Sequence, residues 1–429
     1  MNRRLAAGVV LCIALAGTAS ASPLAGTVEV RDQAGAVVDV RTGPDALRDA
    51  LGVIGTLRGP DTRPWSVVVG AGTYGDAVVG ARNVTVVADP PGGAIIRGTG
   101  GTDDTGGGCL DVTRGPVTVD GIACQAPSRT GINVTLPNAE GGVLLRAVSV
   151  DAAGVDGVAA TGGTGITLDG VVVSRAKRDG IRLTSLTGPG PYTITGGSIA
   201  ASGRDGLRLA DDVTRLAVTG LGVTGSTGYG VASEDAGTAD ITLSGLGVSG
   251  SGKDGVLVRG GGLRIALHDL TATGNAGAGV RLGDASGLRV HGLALNGSNA
   301  GGDLVFTSDP RTGGAYGALS TSDGTVNLVG EPSAVRLSGV PPSRASVAAG
   351  SPLGRRRAGA TLLVGATTRT SSRRIVLRFP ISSSPRVAVW RRAGAWTSVP
   401  SSRRVRGGLQ VVLGTSLLGT ASTAYAPFG

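Results

Sequence analysis

A glycine marks time along this chain. It recurs at Gly108, Gly131, Gly157, Gly180, Gly206, Gly230, Gly255, Gly279 and, more loosely, Gly302, with steps of 23, 26, 23, 26, 24, 25, 24 and 23 residues. Where the match is close, an apolar residue follows. A period of this size is the mark of a repeat architecture, in which no unit can bury its apolar face alone and each must stack on its neighbours.

Within each repeat the apolar residues come in alternating pairs. Ile181 and Leu183, Leu207 and Leu209, Val256 and Val258, and Val280 and Leu282 follow their glycines. Mid-repeat stand Ile166 and Leu168, Leu216 and Val218, Ile241 and Leu243, Leu263 and Ile265, and Leu288 and Val290. A third apolar slot, seven residues before the next glycine, holds Cys124, Val150, Val173, Ile199, Val223, Val248, Ala272 and Leu295. Spacing of two is strand spacing. Three short strands per repeat, split by Gly, Ser, Asp and Thr, predict an all-β coil with three sides. Aromatic residues are only 3% of the chain, which suits many thin aliphatic layers and disfavours a long sugar-stacking platform.

Stacked coils of this length resemble the right-handed parallel β-helix of the pectate-lyase-like superfamily, over roughly residues 40–310. Upstream, Pro44-Asp45-Ala46-Leu47-Arg48-Asp49-Ala50-Leu51 has helical spacing behind an N-terminal acid, and Trp65–Tyr74 reads as a strand ending in a Gly-Thr-Tyr turn. The resemblance implies a helix capping the open end of the first coil, where core and backbone edge would otherwise meet water. About ten coils at the ~4.8 Å inter-strand spacing would make a rod on the order of 45–50 Å long.

Further segments frame this domain. Residues 1–21 read as a secretory signal peptide: Arg3 and Arg4, an apolar run from Leu5, then Ala19-Ser20-Ala21. The mature chain is therefore expected to be secreted, extracellular or attached to a cell surface, with no transmembrane span. Export permits a disulfide between Cys109 and Cys124; two buried thiols are the alternative. The β-helix with its cap takes residues 22–334. Residues 335–358 read as a Pro/Ser/Arg linker and 359–429 as a small basic β module resembling a sandwich. The net charge of +10 is unevenly spread: residues 335–429 hold 15 Arg and no acid, leaving 25 basic and 30 acidic residues, or −5, before them. Export makes nucleic acid an improbable partner, so the basic end points to an anionic cell-surface polymer or to ordinary solvated strand faces.

The position before each repeat glycine runs Thr130, Asp156, Asp179, Asp205, Tyr229, Asp254, Ala278, and the position before that includes Arg178, Arg204 and Lys253. Two after the glycine stand Arg182 and Arg208. One reading is a site for acidic polysaccharide. Arg178, Arg182, Arg204 and Arg208 would hold carboxylates, Tyr229 would offer a sugar face, and Asp179, Asp205, Asp254 or Lys253 would move protons in lyase or hydrolase chemistry. The competing reading is turn chemistry, since Asp before Gly caps its own backbone and alternating cations relieve stacked carboxylates. Asp-Gly-apolar triplets resemble polygalacturonases, but that family's paired Asp-Asp, His-Gly and Arg-x-Lys set is missing at suitable positions. His268 and His291, 23 apart, should stack on adjacent coils as turn residues. Asp103-Asp104 and Asp211-Asp212 suit calcium or plain loop solvation; no cofactor is required and no metal motif stands out. The expectation is a polysaccharide-binding or -processing β-helix, with a non-catalytic, adhesin-like surface protein as the alternative.

Overall fold

The computed structural model describes residues 23–98 except 59–62, and residues 108–301 except short gaps at 126–127, 235–236, 260–262, 283–288, 292 and 296–297; beyond 301 it describes only the backbone of individual strands. The segment read as a signal peptide and Asp103-Asp104 lie outside the described residues.

The chain winds into a parallel β-helix. Nine successive coils, from Leu110–Val112 to Leu319–Thr321, each carry three separate strands. Partial turns extend the stack at both ends. The first strands of successive coils form a single parallel stack of twelve, from Ala77–Val79 to Arg344–Val347. The last of these lies inside the segment read as a linker, so parallel pairing reaches further than the fading pattern suggested. Second and third strands form two further parallel stacks, joined into one 23-stranded sheet through the long strands Trp65–Gly75 and Val84–Arg97.

The three apolar slots become three columns. Val158, Ile181, Leu207, Val231, Val256 and Val280 pair in register along the first stack. Val119, Leu145, Leu168, Ile194, Val218, Leu243 and Leu267 do so along the second. Cys124, Val150, Val173, Ile199, Val223, Val248, Ala272 and Leu295 line the third. Alternation decides which residues go inside: in Ile181–Thr184, Ile181 and Leu183 are buried while Arg182 and Thr184 face out. Each full burial of such an aliphatic side chain contributes about 1.5–3 kcal/mol.

The repeat glycines are explained by space. A Cβ on Gly206 would lie 2.3 Å from Cγ1 of Val223 and 2.5 Å from the carbonyl oxygen of Gly230. The turn before each glycine tucks a small polar residue into the interior: Ser202, Ser226, Ser251, Asn275 and Asn299 are all buried. Asn299 Oδ1 accepts from the Asn275 amide nitrogens, and Asn275 Oδ1 accepts from the Ser251 N–H.

At the N-terminus the helix Ala46–Arg58 packs Leu47, Ala50, Leu51 and Ile54 onto the end of the stack. The turn expected at Gly72-Thr73-Tyr74 is absent: Trp65–Gly75 is one strand with a register shift between Gly70 and Gly72. Tyr74 is buried and its hydroxyl donates to the Gly70 carbonyl at 2.7 Å. An antiparallel hairpin, Thr27–Arg31 with Val37–Thr42, adds to this end and was not expected. Cys109 and Cys124 are disulfide-bonded inside the first complete coil. Near the C-terminus, strands Leu362–Thr368, Ser422–Phe428, Ala388–Trp390 and Trp396–Ser398 pair antiparallel, as do Arg374–Leu377, Gly408–Val412 and Ser401–Val405.

Candidate functional site: a cationic groove and a ladder of buried aspartates

The aspartates before the repeat glycines are buried, each no more than 4% exposed. Their carboxylates face the next coil. Asp156 Oδ1 accepts the N–H of Asp179 at 3.1 Å, Asp179 Oδ1 that of Asp205 at 3.2 Å, Asp205 Oδ1 that of Tyr229 at 2.9 Å, and Asp254 Oδ1 that of Ala278 at 2.6 Å. Each rung therefore fills a donor that the turn leaves unpaired, as buried backbone requires.

Arginines neutralise the rungs. Arg204 grips Asp179 through Nε at 2.7 Å and through Nη2. Arg281 grips Asp254 at 2.6 and 2.9 Å. Arg208 bonds Asp205 at 3.0 Å and Glu234 at 3.2 Å. This geometry favours a structural role for Asp179, Asp205 and Asp254, although they accept from the next coil's backbone and not, as the turn reading had it, from their own: their oxygens are taken up by internal donors rather than presented to a substrate. Arg204 and Arg208 have internal partners for the same reason. Lys253 sits 4.8 Å over the ring of Tyr229 as a cation–π pair. Burial and the nearby Glu234 charge push the Tyr229 hydroxyl above its usual range. His268 and His291 do stand in register on adjacent coils. Asp211 and Asp212 both adopt left-handed backbone at φ 50°, and no cluster of three or more metal-ligating side chains occurs among the described residues.

A groove of about 800 Å³ lies elsewhere, across the outer face of the first-strand stack at its N-terminal end. Its walls include Asp111, Asn133, Ala159 and Arg182, one outward position on four successive strands. Thr135 and Thr161 form the next outward column, and the turns add Arg129, Lys177, Arg178 and Asp156. Four cations thus face two carboxylates. Of the residues singled out from sequence, Arg178 and Arg182 line this groove, whereas Asp179, Asp205, Arg204, Arg208, Tyr229, Lys253 and Asp254 do not.

Asp156 differs from Asp179 and Asp254, each of which two arginine nitrogens grip. It holds Arg178 by a single bond, to Nη2 at 3.0 Å. The Nε atoms of Arg178 and Arg182 are buried without an acceptor. Burial, reinforced by the charge of Asp179, pushes the Asp156 carboxyl above the usual carboxylate range, against the pull of the Asp179 N–H, Arg178 and Arg182. Among the described residues, Arg182 and Lys177 make no side-chain hydrogen bond or ion pair. Sequence reading passed over Asp156, Lys177, Arg129 and Asn133 as site residues. The signal was present as an absence: the coil of Gly157 has Val155 where its successors have a cation, and Ala159 where they have Arg.

No family model and no curated protein matches the chain. Solved structures do. The enzymatically active domain of tailspike protein 2 from bacteriophage CBA120 superposes with a TM-score of 0.52 at 11% identity, over 88% of this chain and 69% of that one. What the two share is the parallel β-helix fold. The A-module of a mannuronan C-5 epimerase from Azotobacter vinelandii matches with a TM-score of 0.46 at 14% identity, over 73% of this chain and 95% of that one. A mannuronic acid-specific family 6 polysaccharide lyase from human gut microbiota matches with 0.46 at 13%, over 70% and 82%.

Proposed function

We propose that this chain is an exported β-helix protein that binds acidic extracellular polysaccharide in the groove over the first-strand stack and processes it there. One observation carries the reading: four cations line a groove long enough to cross several coils, and Arg182 and Lys177 have charge to spare. Arginine pairs with carboxylates bidentately, so a uronate polymer suits such a wall better than a neutral glycan. The tailspike domain that shares the fold is enzymatically active, which agrees with a processing role. A uronate whose carboxylate is neutralised by arginine also loses its adjacent proton more readily, as elimination or epimerisation requires. The 15 arginines beyond residue 334 would hold the protein on an anionic surface.

A second reading, a non-catalytic surface protein that only binds, is favoured by the ladder, which takes Asp179, Asp205 and Asp254 out of reach of a substrate. Both readings meet in one experiment. The chain lacking residues 1–21 is incubated with a panel of uronic-acid polymers and their neutral counterparts. New ultraviolet absorbance from an unsaturated uronate, or inverted C5 signals by NMR, establishes processing. Binding without product establishes the second reading, and no binding to any acidic polymer refutes both.

A further inference from the structure

The two buried Nε donors of Arg178 and Arg182 have no acceptor in the protein. Buried donors of a charged group are costly to leave unmade, so each such position asks for a partner. Both belong to the same groove wall. Arg178 stands in the turn and Arg182 two residues past Gly180, on the strand Ile181–Thr184. Lys177, exposed and unpaired, lines the same groove. Among the described residues, the carboxylate on this wall that bonds either arginine is Asp156, and it uses one oxygen on Arg178 and the other on a backbone N–H. The charges acting on Asp156 are Arg178 and Arg182 from the next coil, Asp179 beside them, and Arg204 beyond.

One coil further along, the same positions are satisfied. Arg204 closes on Asp179 with both donors, and Arg208 closes on Asp205 and Glu234. The equivalent of Arg208's second partner is missing beside Arg182. The ladder thus carries one rung whose arginines are under-supplied with acceptors, and that rung opens into the groove.

We propose that Arg178 and Arg182, with Lys177 at the rim, form a subsite for a single carboxylate, that of one uronate residue, and that Asp156 beneath it sets the strength of binding by competing for the same guanidinium groups. This deepens the proposed function and rests on it. Two substitutions should move affinity in opposite directions. Arg182→Ala removes a donor that makes no internal bond, so the fold should stand. Asp156→Asn keeps an oxygen to accept the Asp179 N–H and removes the competing negative charge.

The experiment titrates the chain lacking residues 1–21 with a uronate trisaccharide and with the neutral trisaccharide of the same linkage, by calorimetry at low salt. Melting temperatures are recorded beside each titration. The expected result is uronate binding weakened tenfold or more in Arg182→Ala, strengthened severalfold in Asp156→Asn, and weak binding of the neutral sugar throughout. Arg182→Ala binding the uronate as the parent does overturns the subsite, while polymer binding by the parent still upholds the broader function. Asp156→Asn that keeps its melting temperature but binds more weakly overturns the competition. A parent that binds neither the trisaccharide nor any acidic polymer overturns the function itself.

Discussion

If the aspartate before each repeat glycine is a rung and not a catalyst, removing Asp179 should cost stability first. The carboxylate is fully buried, and it accepts the N–H of Asp205 at 3.2 Å and two donors of Arg204. Asp179→Ala leaves that N–H buried without a partner, about 1–3 kcal/mol. Arg204 is 39% exposed, so water can take back its charge and the lost pair adds about 1 kcal/mol or less. The sum is about 2–4 kcal/mol, which for a domain of this size lowers the melting temperature by roughly 4–12 °C. Asp179→Asn keeps an acceptor oxygen and loses mainly the ion pair, so its loss should be the smaller, about 1 kcal/mol. Thermal melts followed by circular dichroism on the parent and both variants test the ordering. An Ala variant that melts with the parent would falsify the ladder. So would a variant that keeps its melting temperature but loses all turnover on a polymer the parent degrades, because that is how a catalytic carboxylate behaves.

Three further outcomes follow from the same coordinates. Gly206→Ala places a methyl group 2.3 Å from Val223 and should destabilise by about 1–3 kcal/mol, whereas Gly247→Ala meets nothing within 4 Å and should be neutral in a urea melt. Glu140 accepts from Arg82, Arg114 and the Gly115 N–H, and those partners lower its pKa to about 2. A carboxyl whose folded pKa is depressed stabilises the fold above its unfolded value and loses that contribution as pH falls from about 4.5 toward about 2. Glu140→Gln should therefore be less stable than the parent at pH 7 and converge with it in that acid window. Replacing Cys109 and Cys124 by Ser opens a loop spanning 15 residues and should cost about 3 kcal/mol on the chain-entropy estimate, read as a lower urea midpoint that reductant reproduces in the parent.

The fold was legible because its determinants are periodic. Val150, Val173 and Ile199 fall in one column at fixed spacing from a glycine, and the register places them in one column of the core. The helix at Ala46–Arg58 was legible from Asp45 and the spacing of Leu47, Ala50 and Leu51. The hairpin at Thr27–Thr42 was missed because Val37, Val38 and Val40 stay exposed and the strand buries too little to show a clean alternation. Gly72-Thr73-Tyr74 was read as a turn, where the strand only shifts register between Gly70 and Gly72, because glycine announces a break without saying which kind.

The site was less legible, for a reason that lies in the geometry of stacking. A repeat shows which side chains recur, and recurrence is what structure demands of every coil. Asp179, Asp205 and Asp254 drew attention because they repeat, and they repeat because each caps the next turn. Function in such a stack is more readily carried by the position where the pattern is broken. Arg208 and Arg182 hold the same position on adjacent coils, yet Arg208 meets the carboxylates of Asp205 and Glu234 while Arg182 makes no side-chain bond among the described residues. Val155 and Ala159 lack the charges that Arg178 and Arg182 bring one coil later and Arg204 and Arg208 two coils later, and their small apolar side chains leave room where the groove runs. An arginine is free to bind a ligand only where its own coil and the coils beside it leave its donors without acceptors, and that depends on the register between coils rather than on any one repeat.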